Sequence, residues 1–130
     1  MKSKFGLGLT MLSLVTACSL PDDAERLAKQ GLPPVDVVAD AQLGRSLYSK
    51  NCASCHGLMM NGTKQGPPLN HKIYEPGHHA NLAFYRAVKD GVRAHHWKFG
   101  DMPPQPQVTP TDAAHIIAYV RVRQERSGIR

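Results

Sequence analysis

The chain has 130 residues, with 16 Lys and Arg against 10 Asp and Glu, and a net charge of +6 at pH 7. This length fits one domain with a modest core and excludes a multidomain architecture. The sequence has no arginine-rich helix and no alternation of basic and aromatic residues, so we expect no binding to nucleic acid.

The first 17 residues have the pattern of an export signal. A basic start, MKSK, precedes the apolar run FGLGLTMLSLV, which is shorter than the roughly 20 residues of a membrane-spanning helix. The run ends in VTAC at residues 15–18, which resembles the bacterial lipobox. We therefore expect a lipoprotein signal peptide over residues 1–17, lipidation of Cys18 and anchoring on the periplasmic side of a bacterial membrane. An ordinary secretory signal is the alternative.

Residues 18–38 are predicted to be a tether between this lipid anchor and a domain over residues 39–130. The segment DDAERLAKQG favours a short helix that is marginal in isolation, and Pro33-Pro34 stiffens the chain after it. Acidic residues concentrate in this segment, so the remaining domain is more basic. A basic domain is suited to docking on the acidic surfaces of partner proteins.

A helix is predicted next, over DAQLGRSLYSKNC. Leu43 and Leu47 are four residues apart in this stretch, and so are Gly44 and Tyr48. Residues at this spacing share one face of a helix.

Two cysteines and a histidine, CASCH, close this helix. Zinc sites need four ligands, and no second cysteine pair or finger-like histidine spacing accompanies Cys52 and Cys55. Thiol-disulfide pairs open a helix that follows a strand, and no such strand is predicted. The spacing CxxCH instead favours covalent haem attachment, because both thiols add to haem vinyl groups while His56 reaches the iron.

Two further helices are predicted downstream. Residues 81–91 carry apolar residues at helical spacing, with Asn81 as the expected N-cap and Gly91 as the stop. Residues 109–125 form the clearest helix, with Thr109 as cap and Pro110 in the first turn. Long stretches without periodicity, 57–80 and 93–108, separate the helices and are expected to line a functional site.

The segment GRSLYSKNCASCHGL resembles the N-terminal helix and haem motif of class I c-type cytochromes, and AAHIIAYVRVR is similar to their terminal helix. The resemblance covers residues 39 to about 126. It implies a small all-α cytochrome c fold, in which three main helices and long loops wrap one covalently bound haem c. In this family Gly44 and Tyr48 would pack at a helix crossing against Ile116 and Tyr119.

The resemblance also implies the second axial ligand of the iron. Family members commonly use a methionine before a proline, and FGDMPP places Met102 there. His56 and Met102 are thus the expected ligands, with His95 or His96 as alternatives to Met102.

Two other parts of the haem environment follow from the same resemblance. The carbonyl of Pro67 or Pro68 would accept a hydrogen bond from the axial histidine. The indole N–H of Trp97 would donate to a haem propionate, and a packing aromatic is the alternative.

An iron with both axial positions filled implies a one-electron carrier, cycling between Fe(II) and Fe(III) between respiratory or dehydrogenase partners, and not an enzyme. Two alternatives remain at this stage. A labile Met102 would give peroxidase-like chemistry. Copper handling is suggested by the Met59-Met60 pair and by the histidines of the two long loops, which are His71, His78, His79, His95 and His96.

Overall fold

The computed structural model describes residues 22–130. The predicted signal peptide, residues 1–17, and the predicted lipidation site Cys18 lie outside these described residues. No helix among residues 22–130 combines the length and the apolar run that a membrane crossing needs.

The described part of the chain is all helical, which confirms the predicted fold class. It contains five α-helices, one short 3-10 helix and one isolated backbone bridge between residues 92 and 102, with no β-strand. The helices are α1 (Asp23–Lys29), α2 (Ala41–Asn51), α3 (Ala53–His56), α4 (Asn81–Asp90) and α5 (Pro110–Arg126), and the 3-10 helix is Lys72–Tyr74.

The crossing of α2 and α5 forms the centre of the fold. A Cβ atom built on Gly44 would lie 1.9 Å from the backbone oxygen of His115, so only glycine allows the two backbones to approach this closely. Next to this contact, the rings of Tyr48 and Tyr119 meet edge to face with centroids 5.7 Å apart. The expected role of Gly44, Tyr48 and Tyr119 is confirmed. The core around them consists of Tyr48, Met60, Val108, Ala113, Ile116 and Val120.

The start of α5 follows the sequence prediction. The side-chain oxygen of Thr109 accepts a hydrogen bond from the backbone N–H of Asp112, and the Asp112 carboxylate accepts one from the N–H of Thr109. Pro110 occupies the first turn, where its missing N–H removes no hydrogen bond. This reciprocal cap fixes where the helix begins and therefore which side chains face α2.

The N-cap predicted for α4 is wrong. Asn81 is the first helical residue, Ala80 precedes it as the cap, and no side chain caps this helix. The amide oxygen of Asn81 instead accepts a hydrogen bond from Arg121 Nε at 2.9 Å. The side-chain oxygen that could have capped α4 is therefore bound to a residue of α5. The predicted stop at Gly91 is confirmed, with a φ of 76°.

Part of the predicted tether is ordered against the domain. Asp22 caps α1 by accepting from the N–H of Glu25. The carbonyl of Lys29, the last residue of this helix, accepts a hydrogen bond from Lys89 Nζ on α4 at 2.5 Å. The described end of the tether is therefore held by α4, while the boundary between residues 38 and 39 stays a prediction.

Candidate functional site

A largely apolar cavity of about 360 Å³ lies between α4, α5 and the two long loops. Close-packed protein interiors contain few voids larger than a water molecule, so a cavity of this size is suited to a bound ligand. Its lining brings together the predicted site residues Cys52, His56, Pro67, Trp97 and Met102, and also His95 and His96, the two alternatives to Met102.

His56 is buried at the end of α3, with 8% of its surface exposed. Its Nδ1 donates to the carbonyl of Pro67 at 2.9 Å, which leaves Nε2 free to bind a metal. Burial lowers the pKa of His56, and the Pro67 carbonyl offsets this only in part. The ring is therefore neutral near pH 7, as a metal ligand must be.

Pro67, and not Pro68, supplies this supporting carbonyl. A close approach at Gly66 makes the contact possible, since a Cβ built there would lie 2.8 Å from the carbonyl oxygen of Cys55. Pro68 is not among the residues that line the cavity and packs beside Gly62. The sequence prediction left both prolines open, and the structure assigns the hydrogen bond to Pro67.

Cys52 is the N-cap of α3, and Cys55 is the third residue of this helix. Cys52 lines the cavity, whereas Cys55 is exposed and lies outside the lining. Burial, together with the nearby Cys55, raises the pKa of the Cys52 thiol to about 11. Thiol-disulfide exchange depends on a lowered thiol pKa, so this environment argues against a redox pair.

Met102 is positioned by a short backbone bridge. Its N–H and C=O both pair with Val92, with N···O distances of 2.9 Å. Gly91 permits this pairing, because a Cβ there would lie 2.5 Å from the Met102 carbonyl oxygen. The bridge holds Met102 at the cavity wall. The other methionines of the loops do not line the cavity: Met60 is buried in the core and Met59 is 54% exposed.

Trp97 provides a test of what kind of group the cavity accepts. Its indole nitrogen is buried near the Tyr74 side chain, but no partner among the described residues lies in good hydrogen-bond geometry. A buried N–H without a partner costs about 1–3 kcal/mol. A ligand that is mostly apolar but carries an acidic group near Trp97 would satisfy this donor, and haem with its propionates has that chemistry.

Arg121 is a structural residue of the site that the sequence prediction missed. Its guanidinium holds the loop over residues 74–81. It donates to the carbonyls of Tyr74, at 2.7 Å, and His79, and it lies 4.8 Å above the Phe84 ring. Buried Gln124, one turn later, donates to the Leu69 carbonyl at 2.8 Å. Both contacts join residues far apart in the chain, so the local pattern gave no signal for them.

Comparisons with known proteins identify the family and the fold of the chain. Residues 41–123 match the family model described as Cytochrome c. The fold is similar to the crystal structure of cytochrome CL from the marine methylotrophic bacterium Methylophaga aminisulfidivorans, with a TM-score of 0.55 and 23% sequence identity over 89% of this chain and 79% of that one. No curated protein matches the chain.

Proposed function

This chain belongs to the cytochrome c family, and we propose that it is a one-electron carrier whose iron is ligated by His56 and Met102. Its cofactor is a covalently bound haem c, and Cys52 and Cys55 fit the attachment motif. The cofactor supplies an iron that cycles between Fe(II) and Fe(III).

The observation that carries the proposal is the shared cavity of His56 and Met102. His56 comes from the end of α3 and Met102 from the loop before α5, and both line one cavity together with Cys52. An imidazole and a thioether are the ligand pair that raises the potential of haem in electron carriers, because the soft sulfur favours ferrous iron.

The other residues of the site act on these two ligands. The Pro67 carbonyl fixes the orientation of His56 and increases the basicity of its Nε2. The Trp97 indole would donate to a propionate of the bound haem. The apolar wall limits water at the ligands, so the change in charge on electron transfer requires little rearrangement of solvent.

The place of electron transfer follows from the N-terminal segment and the charge. Lipidation at Cys18 anchors the carrier on the periplasmic side of a bacterial membrane, where it passes electrons between respiratory or dehydrogenase partners. Its basic domain docks on acidic partner surfaces, so salt weakens each encounter. The anchor raises the effective concentration of the carrier near membrane partners.

Carbon monoxide binding distinguishes this carrier from the peroxidase-like alternative. The ferrous protein is expected to bind carbon monoxide slowly and incompletely, because the gas must displace Met102. The Met102→Ala variant, which opens that position, serves as the positive control and binds readily. Wild-type protein that binds carbon monoxide as fast as the variant would contradict a filled sixth position and favour an enzyme-like iron.

A further inference from the structure

Three histidines form a cluster at the edge of the cavity, and the electron-carrier role makes no use of them. His78 and His79 lie in the turn after the 3-10 helix, and His96 belongs to the loop that leads to Met102. One ring nitrogen of each lies within 4.8 Å of the others. His79 and His96 also line the cavity, whereas His78 faces the adjoining open cleft.

The closest pair of nitrogens already has the spacing of a metal site. His78 Nε2 and His96 Nε2 are 3.4 Å apart. Two nitrogens bound at about 2.0–2.1 Å to a tetrahedral ion are separated by about 3.3–3.4 Å. These two side chains therefore need almost no movement to bind one ion between them.

The third histidine is held in the tautomer that a ligand requires. His79 Nδ1 lies 2.6 Å from the backbone carbonyl of Ile73, and a carbonyl can only accept, so this nitrogen carries the proton. The lone pair is then on Nε2. Metal-binding histidines typically have this arrangement, with the second nitrogen donating to a carbonyl or carboxylate.

The backbone around the cluster is fixed. The N–H groups of His78 and His79 both donate to the carbonyl of Glu75, at 3.0 and 2.8 Å. The His79 carbonyl accepts from the guanidinium of Arg121 on α5. On the other loop, the N–H of Ala94 donates to the Asp101 carboxylate at 2.8 Å. Little conformational freedom is left for an ion to remove when it binds.

Charged side chains of both signs lie beside the cluster. Glu75 and Lys72 line the adjoining cleft together with His78 and His96.

We propose that His78, His79 and His96 bind one divalent transition-metal ion, Zn²⁺ or Cu²⁺, with water completing its coordination. Imidazole nitrogens suit both ions, and Cu²⁺ is expected to bind more tightly than Zn²⁺. The ion would join the two loops that border the cavity. Its positive charge would favour ferrous iron, so that metal binding and the haem potential would be coupled in both directions.

Zinc titration of the haem-loaded protein by calorimetry tests this site. Zn²⁺ is the better first probe because it cannot oxidise the iron. We expect one ion per chain, and the His78→Ala variant should bind at least about tenfold more weakly. This variant is chosen because His78 is exposed and does not line the haem cavity, so its haem spectrum should equal that of the wild type.

His115→Gln is the matched control, since it also removes one imidazole. His115 lines neither the cavity nor the adjoining cleft, and its Nδ1 accepts from the N–H of Asp40. This control variant should bind zinc like the wild type. Equal zinc affinity of the wild type and the His78→Ala variant would overturn the site, as would wild-type protein that binds no zinc. Because His56 and Met102 are unchanged in these variants, neither failure would affect the electron-carrier proposal.

Discussion

Replacement of Met102 by alanine is expected to lower the reduction potential of the haem by on the order of tenths of a volt. The thioether stabilises ferrous iron, and without it water or a harder ligand favours the ferric state. The ferric protein should also lose its sulfur-to-iron charge-transfer band. The backbone pairing between Met102 and Val92 does not depend on the side chain, so the loop should keep its path. A potentiometric titration followed by absorbance measures the change.

Met59→Ala is the control for this substitution. The Met59 side chain is 54% exposed and does not line the cavity, so its removal should leave the potential and the band unchanged. An unchanged potential in the Met102 variant would contradict methionine ligation. If replacement of His95 or His96 moved the potential instead, the iron would have two histidine ligands.

Gly44→Ala is expected to destabilise the fold by about 3 kcal/mol or more, at or above the upper end of overpacking effects. The added methyl group would lie 1.9 Å from the backbone oxygen of His115, and a helix backbone cannot move aside as a side chain can. α2 and α5 would separate and open the core around Tyr48. Thermal unfolding should show a midpoint lower by roughly 12–24 °C.

Gly77→Ala is the matched control, because a Cβ at Gly77 would meet nothing within 4 Å and its φ is not positive. Its stability should stay within about 0.5 kcal/mol of the wild type. If the two variants unfolded at the same temperature, the close approach of α2 and α5 at Gly44 would not be needed for stability.

The parts of the fold that local rules determine were predictable from the sequence. The start of α5 depends on Thr109 and Pro110, which act within one turn. The haem attachment motif is equally local, because the spacing of Cys52, Cys55 and His56 in the sequence is enough to identify it. The helix crossing was expected through the family resemblance, and Gly44 and Tyr119 are in contact there.

Residues that act across long distances in the chain were not predictable in the same way. Asn81 has the propensity of an N-cap, yet its amide oxygen binds Arg121. Nothing near Arg121 in the sequence indicates that it holds the Tyr74 and His79 carbonyls. The sequence indicates that the histidines of the two loops are possible metal ligands. Only the folded chain shows that the Nε2 atoms of His78 and His96 lie 3.4 Å apart.

The proposed function requires that the protein carries covalent haem with His56 and Met102 as ligands. The most direct test is the ferric absorbance spectrum of the mature protein, produced with c-type maturation machinery. The same sample is then denatured and stained for haem. We expect the stain to remain on the denatured chain and the spectrum to contain the sulfur-to-iron band. Haem that is lost on denaturation would contradict attachment at Cys52 and Cys55. Haem that stays bound without the band would contradict ligation by Met102.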